Sequence, residues 1–184
     1  MKKILGVIGS PRKNGNTDTL VSKMLAGAKK EGAVIDVLYL NDLKIKECIG
    51  CHICWEEKQC PMQDDMCAIY PKIVENDIII FGTPVYWYGP TALMKMFIDR
   101  FVYFNSPSNK TKIKNKSAVI VIPFEEENLE TAAPVITFFE KCFQYLQMNL
   151  LYKVIVPGVS QKGDVLKKED VLNEAYEIGR RLNE

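Results

Sequence analysis

The chain has 184 residues, of which 47% are hydrophobic and 26% charged, with a net charge of +1. That length buries a substantial core without staples, and a charge so near zero supplies no field for holding nucleic acid or an anionic membrane. No stretch approaches a membrane span, and the N-terminal apolar run ends in Gly9-Ser10-Pro11-Arg12 without a cleavage-site pattern. The expectation is one domain over residues 1–184, located in the cytoplasm.

Taken in order, the chain alternates strands and helices. "KILGVIG" at 3–9 is a continuous apolar run ending in turn residues, which reads as a buried strand. In the segment that follows, Leu20, Val21, Met24 and Leu25 recur at helical spacing, and Gly32 closes the helix. A second strand is predicted at 34–40. Residues 47–67 interrupt the rhythm with a cysteine-rich loop. A short helix comes next: Asp64 or Asp65 suits a cap before Met66, but Pro71 argues for a start near Pro71 itself. The third strand is 78–82, and "PTALMKMFIDRFVYF" is helical with Pro90 near its first turn. A fourth strand spans 117–122. A helix over 131–148 places Val135, Phe138, Phe139, Cys142 and Leu146 on one face. The fifth strand is 150–158, and an amphipathic helix runs from 167 to the end. Five apolar strands separated by helices predict an α/β fold, a parallel sheet covered on both faces.

Open parallel sheets bind ligands at the carboxyl ends of their strands. The loop after the first strand, "GSPRKNGNT", offers Gly9 and Gly15 for close backbone approach. Ser10, Asn16 and Thr17 supply side-chain donors, and Arg12 a positive charge. The helix that follows favours an anion at its start, which suits a phosphate. The same residues also suit a plain strand-to-helix turn capped by Asn16 or Thr17. The loop is neither a Walker A motif nor the G-x-G-x-x-G dinucleotide fingerprint. After the third strand, "GTPVYWYGP" crowds Tyr86, Trp87 and Tyr88 between Pro84 and Gly89-Pro90. The aromatics suit either a flat ligand or packing on a helix or a subunit interface. Together the two loops suggest a planar mononucleotide.

Cys48, Cys51, Cys54 and Cys60 follow C-x2-C-x2-C-x5-C. Such spacing lets thiolates converge on one inorganic core. Four thiolates suit a [4Fe–4S] cluster, zinc, or no metal at all, with reduced thiols packing the loop. A disulfide framework is disfavoured in a reducing compartment. Cys67 falls outside the pattern, Cys142 is expected in the core, and His52 reads as a polar neighbour. Asp99 and Arg100 read as a helix-end ion pair or an interface contact, and one histidine leaves little material for a nucleophilic triad.

"GSPRKNGNT", the cysteine run with its following "DDM", and "GTPVYWYGPTALMKMFIDR" together resemble the flavodoxin-like NADPH-dependent FMN reductases, in their iron–sulfur flavoprotein branch. The resemblance implies a flavodoxin-like three-layer sandwich with strand order 2-1-3-4-5. It implies FMN, its phosphate held by Ser10, Arg12, Asn16 and Thr17 and its ring by Pro84, Val85, Tyr86, Trp87 and Gly89. It tips the cysteine loop toward a [4Fe–4S] cluster on Cys48, Cys51, Cys54 and Cys60. The implied activity moves electrons between NAD(P)H or a ferredoxin and an acceptor, in a homodimer or homotetramer with which the aromatics at 86–88 and 101–104, expected to be exposed, are compatible. A glycine-rich third contact loop common in the family is replaced here by "PFEEENLETAAP", where Phe124 is the candidate ring contact. Its acidic residues disfavour the phosphates of a nicotinamide nucleotide. The competing expectation is a non-redox sensing or partner-binding module with a zinc-stapled loop.

Overall fold

The computed structural model describes residues 1–183, which places residue 184 of the predicted last helix outside the described residues. Five strands, β1 (Lys3–Ile8), β2 (Val34–Tyr39), β3 (Ile78–Gly82), β4 (Ser117–Pro123) and β5 (Asn149–Val156), form one parallel sheet in the order β2-β1-β3-β4-β5. The helices are α1 (Asn16–Lys30), α2 (Met66–Glu75), α3 (Ala92–Asp99), α4 (Lys110–Ile113), α5 (Ala133–Leu146) and α6 (Glu169–Arg181).

Successive side chains of a strand point to opposite faces, so each apolar run feeds two cores. Leu5, Val7, Ile79, Phe81, Ile120 and Ile122 pack with residues of α2, α3 and α5. Ile4, Ile8, Ile80, Val119 and Val121 pack with residues of α1 and α6. Burial on both faces is why the central strands read as unbroken hydrophobic runs rather than alternations. On the second face α1 and α6 meet backbone to backbone. A Cβ on Gly27 would lie 2.1 Å from the Tyr176 carbonyl oxygen, and one on Gly179 would lie 1.9 Å from that of Met24. Only glycine permits that approach.

Two helix boundaries, one ion pair and one cysteine differ from expectation. α2 begins at Met66 and carries Pro71 inside it. The proline withdraws one helical bond, and burial of Met66, Ile69, Tyr70 and Ile73 against the first core holds the helix regardless. The helix predicted through residue 104 ends at Asp99 and continues as a tighter 3-10 turn, Arg100–Asn105. Within that turn Phe101 and Phe104 are core residues rather than exposed aromatics. Asp99 pairs with Lys95, so Asp99 and Arg100 do not pair with each other. Cys142 is only partly buried, at the margin of the core. No helix among the described residues is long and apolar enough to cross a membrane.

Candidate functional site

The strand order reverses between β1 and β3, so the loops that follow them stand side by side at the carboxyl edge, where such sheets bind ligands. The β1 loop leaves the sheet through Gly9, whose N–H donates to Gly82 O at 2.8 Å. A Cβ on Gly9 would lie 2.9 Å from Met94. Ser10 Oγ accepts from the Arg12 N–H at 3.2 Å, and the loop turns into α1 at Gly15. No side chain caps α1. The free N–H groups of its first turn and the helix dipole favour an anion there. Ser10 and Thr17 are buried at this end and Arg12 is exposed.

Two threonines fasten the neighbouring loop. Thr83 Oγ1 donates to Pro84 O and accepts from the Thr91 N–H. Thr91 Oγ1 donates to Gly9 O and accepts from the Met94 N–H, which also caps α3. The phosphate-type loop and the aromatic loop are thereby joined through buried hydroxyls. Beyond Val85 the chain makes a two-residue hairpin, in which Tyr86 and Gly89 exchange both backbone bonds at 2.8 and 3.0 Å. Trp87 and Tyr88 occupy its tip with φ of 49° and 60°, a left-handed conformation that normally favours Asn and Gly. Trp87 is 97% exposed.

A cleft of about 100 Å³ lies between these loops, lined by Ser10, Arg12, Asn16, Thr17, Pro84, Val85 and Tyr86. Trp87 and Gly89 do not line it. Its far wall comes from the β4 loop, Pro123 to Glu125, and from Val159 and Ser160 after β5. The β5 loop was not anticipated. The turn at Gly158 and the common edge at which all parallel strands end are the signals that point to it. Asn16 and Arg12 reach across to it. The Asn16 amide donates to Val159 O at 3.3 Å and Gln161 O at 2.9 Å, while its Oδ1 accepts from the Gly163 and Val165 N–H groups at 3.1 and 3.2 Å. Arg12 Nη1 donates to Ser160 O at 2.9 Å. Asn16 therefore spends its side-chain bonds on the wall of the cleft.

The cysteine loop forms a second locus. Its base is pinched shut by two aspartates: Asp65 accepts from the Lys44 N–H, and Asp64 accepts from the Lys46 and Met66 N–H groups. Trp55 Nε1 donates to Val102 O at 3.2 Å. Cys48, Cys51, Cys54 and Cys60 all line one small cavity against Tyr70, Arg100, Val102 and Tyr103, and His52 borders it as well. Burial pushes the Cys54 thiol up, and the neighbouring Cys60, Cys48 and Cys51 thiols push it further. Among the described residues no three His, Cys, Asp or Glu side chains are spaced to grip a single metal ion. A tetrahedral zinc site needs sulfurs drawn tightly around one centre. A cubane asks for wider spacing, since each thiolate binds a different iron. Four cysteines around one apolar-walled cavity fit that donor set. Cys67 is exposed, with its Sγ near Met62 O, and takes no part.

Beneath the cavity Arg100 and Asp64 form an ion pair with both side chains 1% exposed. Burial alone would draw the guanidinium down, yet its bond to Asp64 holds it above its ordinary value. Burial likewise pulls the Asp64 carboxyl upward, but the bonds from Arg100 and from the Lys46 N–H leave it below the usual carboxylate range. Burial raises the Tyr70 hydroxyl, which donates to Arg100 O at 3.3 Å.

The chain is similar to known proteins over this whole frame. An iron–sulfur flavoprotein of Methanocaldococcus jannaschii is 44% identical over 98 residues, which cover 53% of this chain and 51% of that protein. The chain spans about half the length of the first iron–sulfur flavoproteins it matches. A putative NAD(P)H-dependent FMN-containing oxidoreductase of Bacillus subtilis is 28% identical over 97% of both chains. Among solved structures, the NAD(P)H:quinone oxidoreductase from Methanothermobacter marburgensis superposes with a TM-score of 0.78 over 100% of this chain and 98% of its own, at 17% identity, a likeness of fold. The family model for the NADPH-dependent FMN reductases matches residues 2–148, which take in the first-strand loop, the cysteine loop and the aromatic hairpin, and the chain belongs to that family.

Proposed function

We propose that the chain is an FMN-dependent oxidoreductase that passes electrons between a reduced donor and an acceptor, with a [4Fe–4S] cluster on Cys48, Cys51, Cys54 and Cys60. The observation that carries this is the cleft at the switch point. The uncapped start of α1, with Ser10, Thr17 and Arg12, stands at one end, and Pro84, Val85 and Tyr86 form a wall beside it. An anionic group fits the first and a flat ring fits the second. When bound, FMN supplies hydride and single-electron transfer and the cluster supplies single electrons.

The residues of the chain orient and shield. Ser10, Thr17 and the first N–H groups of α1 hold the phosphate, and Arg12 neutralises it. Asn16 keeps the β5 loop against the cleft. Pro84, Val85 and Tyr86 cover one side of the ring, and Phe124, buried at the edge of the cleft, takes the place of the family's third contact. Trp87, on the exposed tip of the hairpin, and Gly89, which closes it, reach the ring's outer edge or a second copy of the chain in a homodimer or homotetramer. Glu125 at the cleft disfavours the phosphates of NAD(P)H. That favours a second reading, in which a ferredoxin-like protein is the donor.

The test is anaerobic purification with added FMN, followed by flavin, iron, sulfide and zinc analysis. One FMN per chain with about four irons is the expected result. A colourless chain that holds zinc and takes up no FMN overturns the proposal. Stopped-flow mixing separates the donors: flavin bleaching by NADPH or NADH supports the reductase, and bleaching by reduced ferredoxin alone supports the carrier.

A further inference from the structure

The Arg100 guanidinium makes three side-chain hydrogen bonds among the described residues, and one of them ends on sulfur. Nη1 donates to Lys46 O at 3.0 Å and to Asp64 Oδ2, while Nη2 donates to Cys60 Sγ at 3.4 Å. Among the described residues, Cys60 is the one member of the four-cysteine set whose sulfur accepts a side-chain N–H. A tie between the cysteine loop and the turn at Arg100–Asn105 needs only the first two bonds. Asp64 also receives the Lys46 and Met66 N–H groups, so the loop base has other fastenings. The bond to sulfur calls for a different explanation. We propose that Arg100 is a positioning residue that raises the reduction potential of the iron–sulfur group in the cysteine loop, acting through its N–H bond to Cys60.

This rests on the cluster assignment above. Reduction adds one electron to a thiolate-bound core that already carries negative charge. An N–H aimed at a ligating sulfur, on a fixed cation, stabilises the reduced state more than the oxidised one. Hydrogen bonds to the sulfurs are among the levers that set such potentials, and a buried site strengthens them. Asp64 and the Lys46 carbonyl both hold Nη1, so the guanidinium is in place before any electron arrives.

The experiment is a redox titration of the full chain, reconstituted anaerobically with iron, sulfide and FMN, following the cluster by electron paramagnetic resonance and the flavin by absorbance. Arg100→Gln removes the cation, and Arg100→Lys keeps a cation but loses the fork. The cluster equilibrium is expected to shift at least tenfold toward the oxidised form in Arg100→Gln, about 59 mV per tenfold for one electron. Arg100→Lys is expected to shift it less in the same direction, with the flavin couple unmoved in both. A merely structural loosening would admit water to the core and move the potential upward instead. If Arg100→Gln does not fold or load iron, Arg100→Lys decides. A loaded Arg100→Lys variant whose potential is unchanged or raised overturns the assignment of Arg100 and leaves the cluster standing. A wild-type chain that binds FMN but takes up no iron overturns the cluster and this assignment with it.

Discussion

The flavin edge and the cysteine loop are held by opposite kinds of interaction. At the sheet edge, hydroxyl and amide groups do most of the fastening, with one bond from Arg12 to Ser160 O. Thr83 and Thr91 join the first two loops, and Asn16 stitches the third with four bonds to backbone. The cysteine loop has almost no secondary structure of its own, a single 3-10 turn at Ile53–Trp55. It is anchored by a fully buried ion pair. A loop of thiols has few apolar side chains to bury, so strong, directional bonds at its base replace a core.

The contrast can be broken at its strongest point first. Asp64→Ala leaves the Arg100 guanidinium buried without its counter-charge. Urea unfolding is expected to show a loss of about 3–5 kcal/mol. Iron uptake is expected to fall well before FMN uptake, because the first-strand loop does not depend on Asp64. Equal loss of both would show the two regions to be one cooperative unit. Asn16→Ala should do the reverse. It strands two N–H groups and two carbonyls of the β5 loop, for on the order of 1–3 kcal/mol, and should weaken FMN binding about tenfold by fluorescence titration, with iron content unchanged. Undiminished FMN affinity would mean that the loop after β5 is no wall of the site.

The smallest effect sharpens the role of burial. Asp36 and Lys72 form an ion pair of the same chemistry with both side chains 46% exposed. The bond from Lys72 holds the Asp36 carboxyl below its ordinary value of 3.8. A carboxyl lowered in the folded state contributes stability that is complete above the unfolded value and is lost as pH falls through the folded one. Asp36→Asn should therefore cost less than about 1 kcal/mol at neutral pH, and the difference from wild type should vanish in acid, below the lowered value. A penalty matching that of Asp64→Ala would remove burial as the distinguishing factor.

Most of the layer pattern was legible along the chain because strand burial, helical spacing and turn residues are local properties. The five apolar runs, the glycine that closes α1 and the four-cysteine spacing need no knowledge of distant neighbours. Pro71 shows where local rules lose. Its penalty for a helix is real, but burial of Met66, Ile69 and Ile73 outweighs it. Phe101 and Phe104 show the same for exposure, since a 3-10 turn carries them into the core. The candidate site divides along the same line. Loops after the first and third strands announce themselves by composition. The partners of their residues do not, because Asn16 meets Gly163 across 147 residues and Arg100 meets Asp64 across 36. Residue order and type set which segments are strands, helices and thiol-bearing loops, because each follows from short-range periodicity and spacing. Which side chains close the cleft, and which cation lies under the sulfurs, was settled by packing of the sheet and its layers, because no local pattern encodes contacts over such separations.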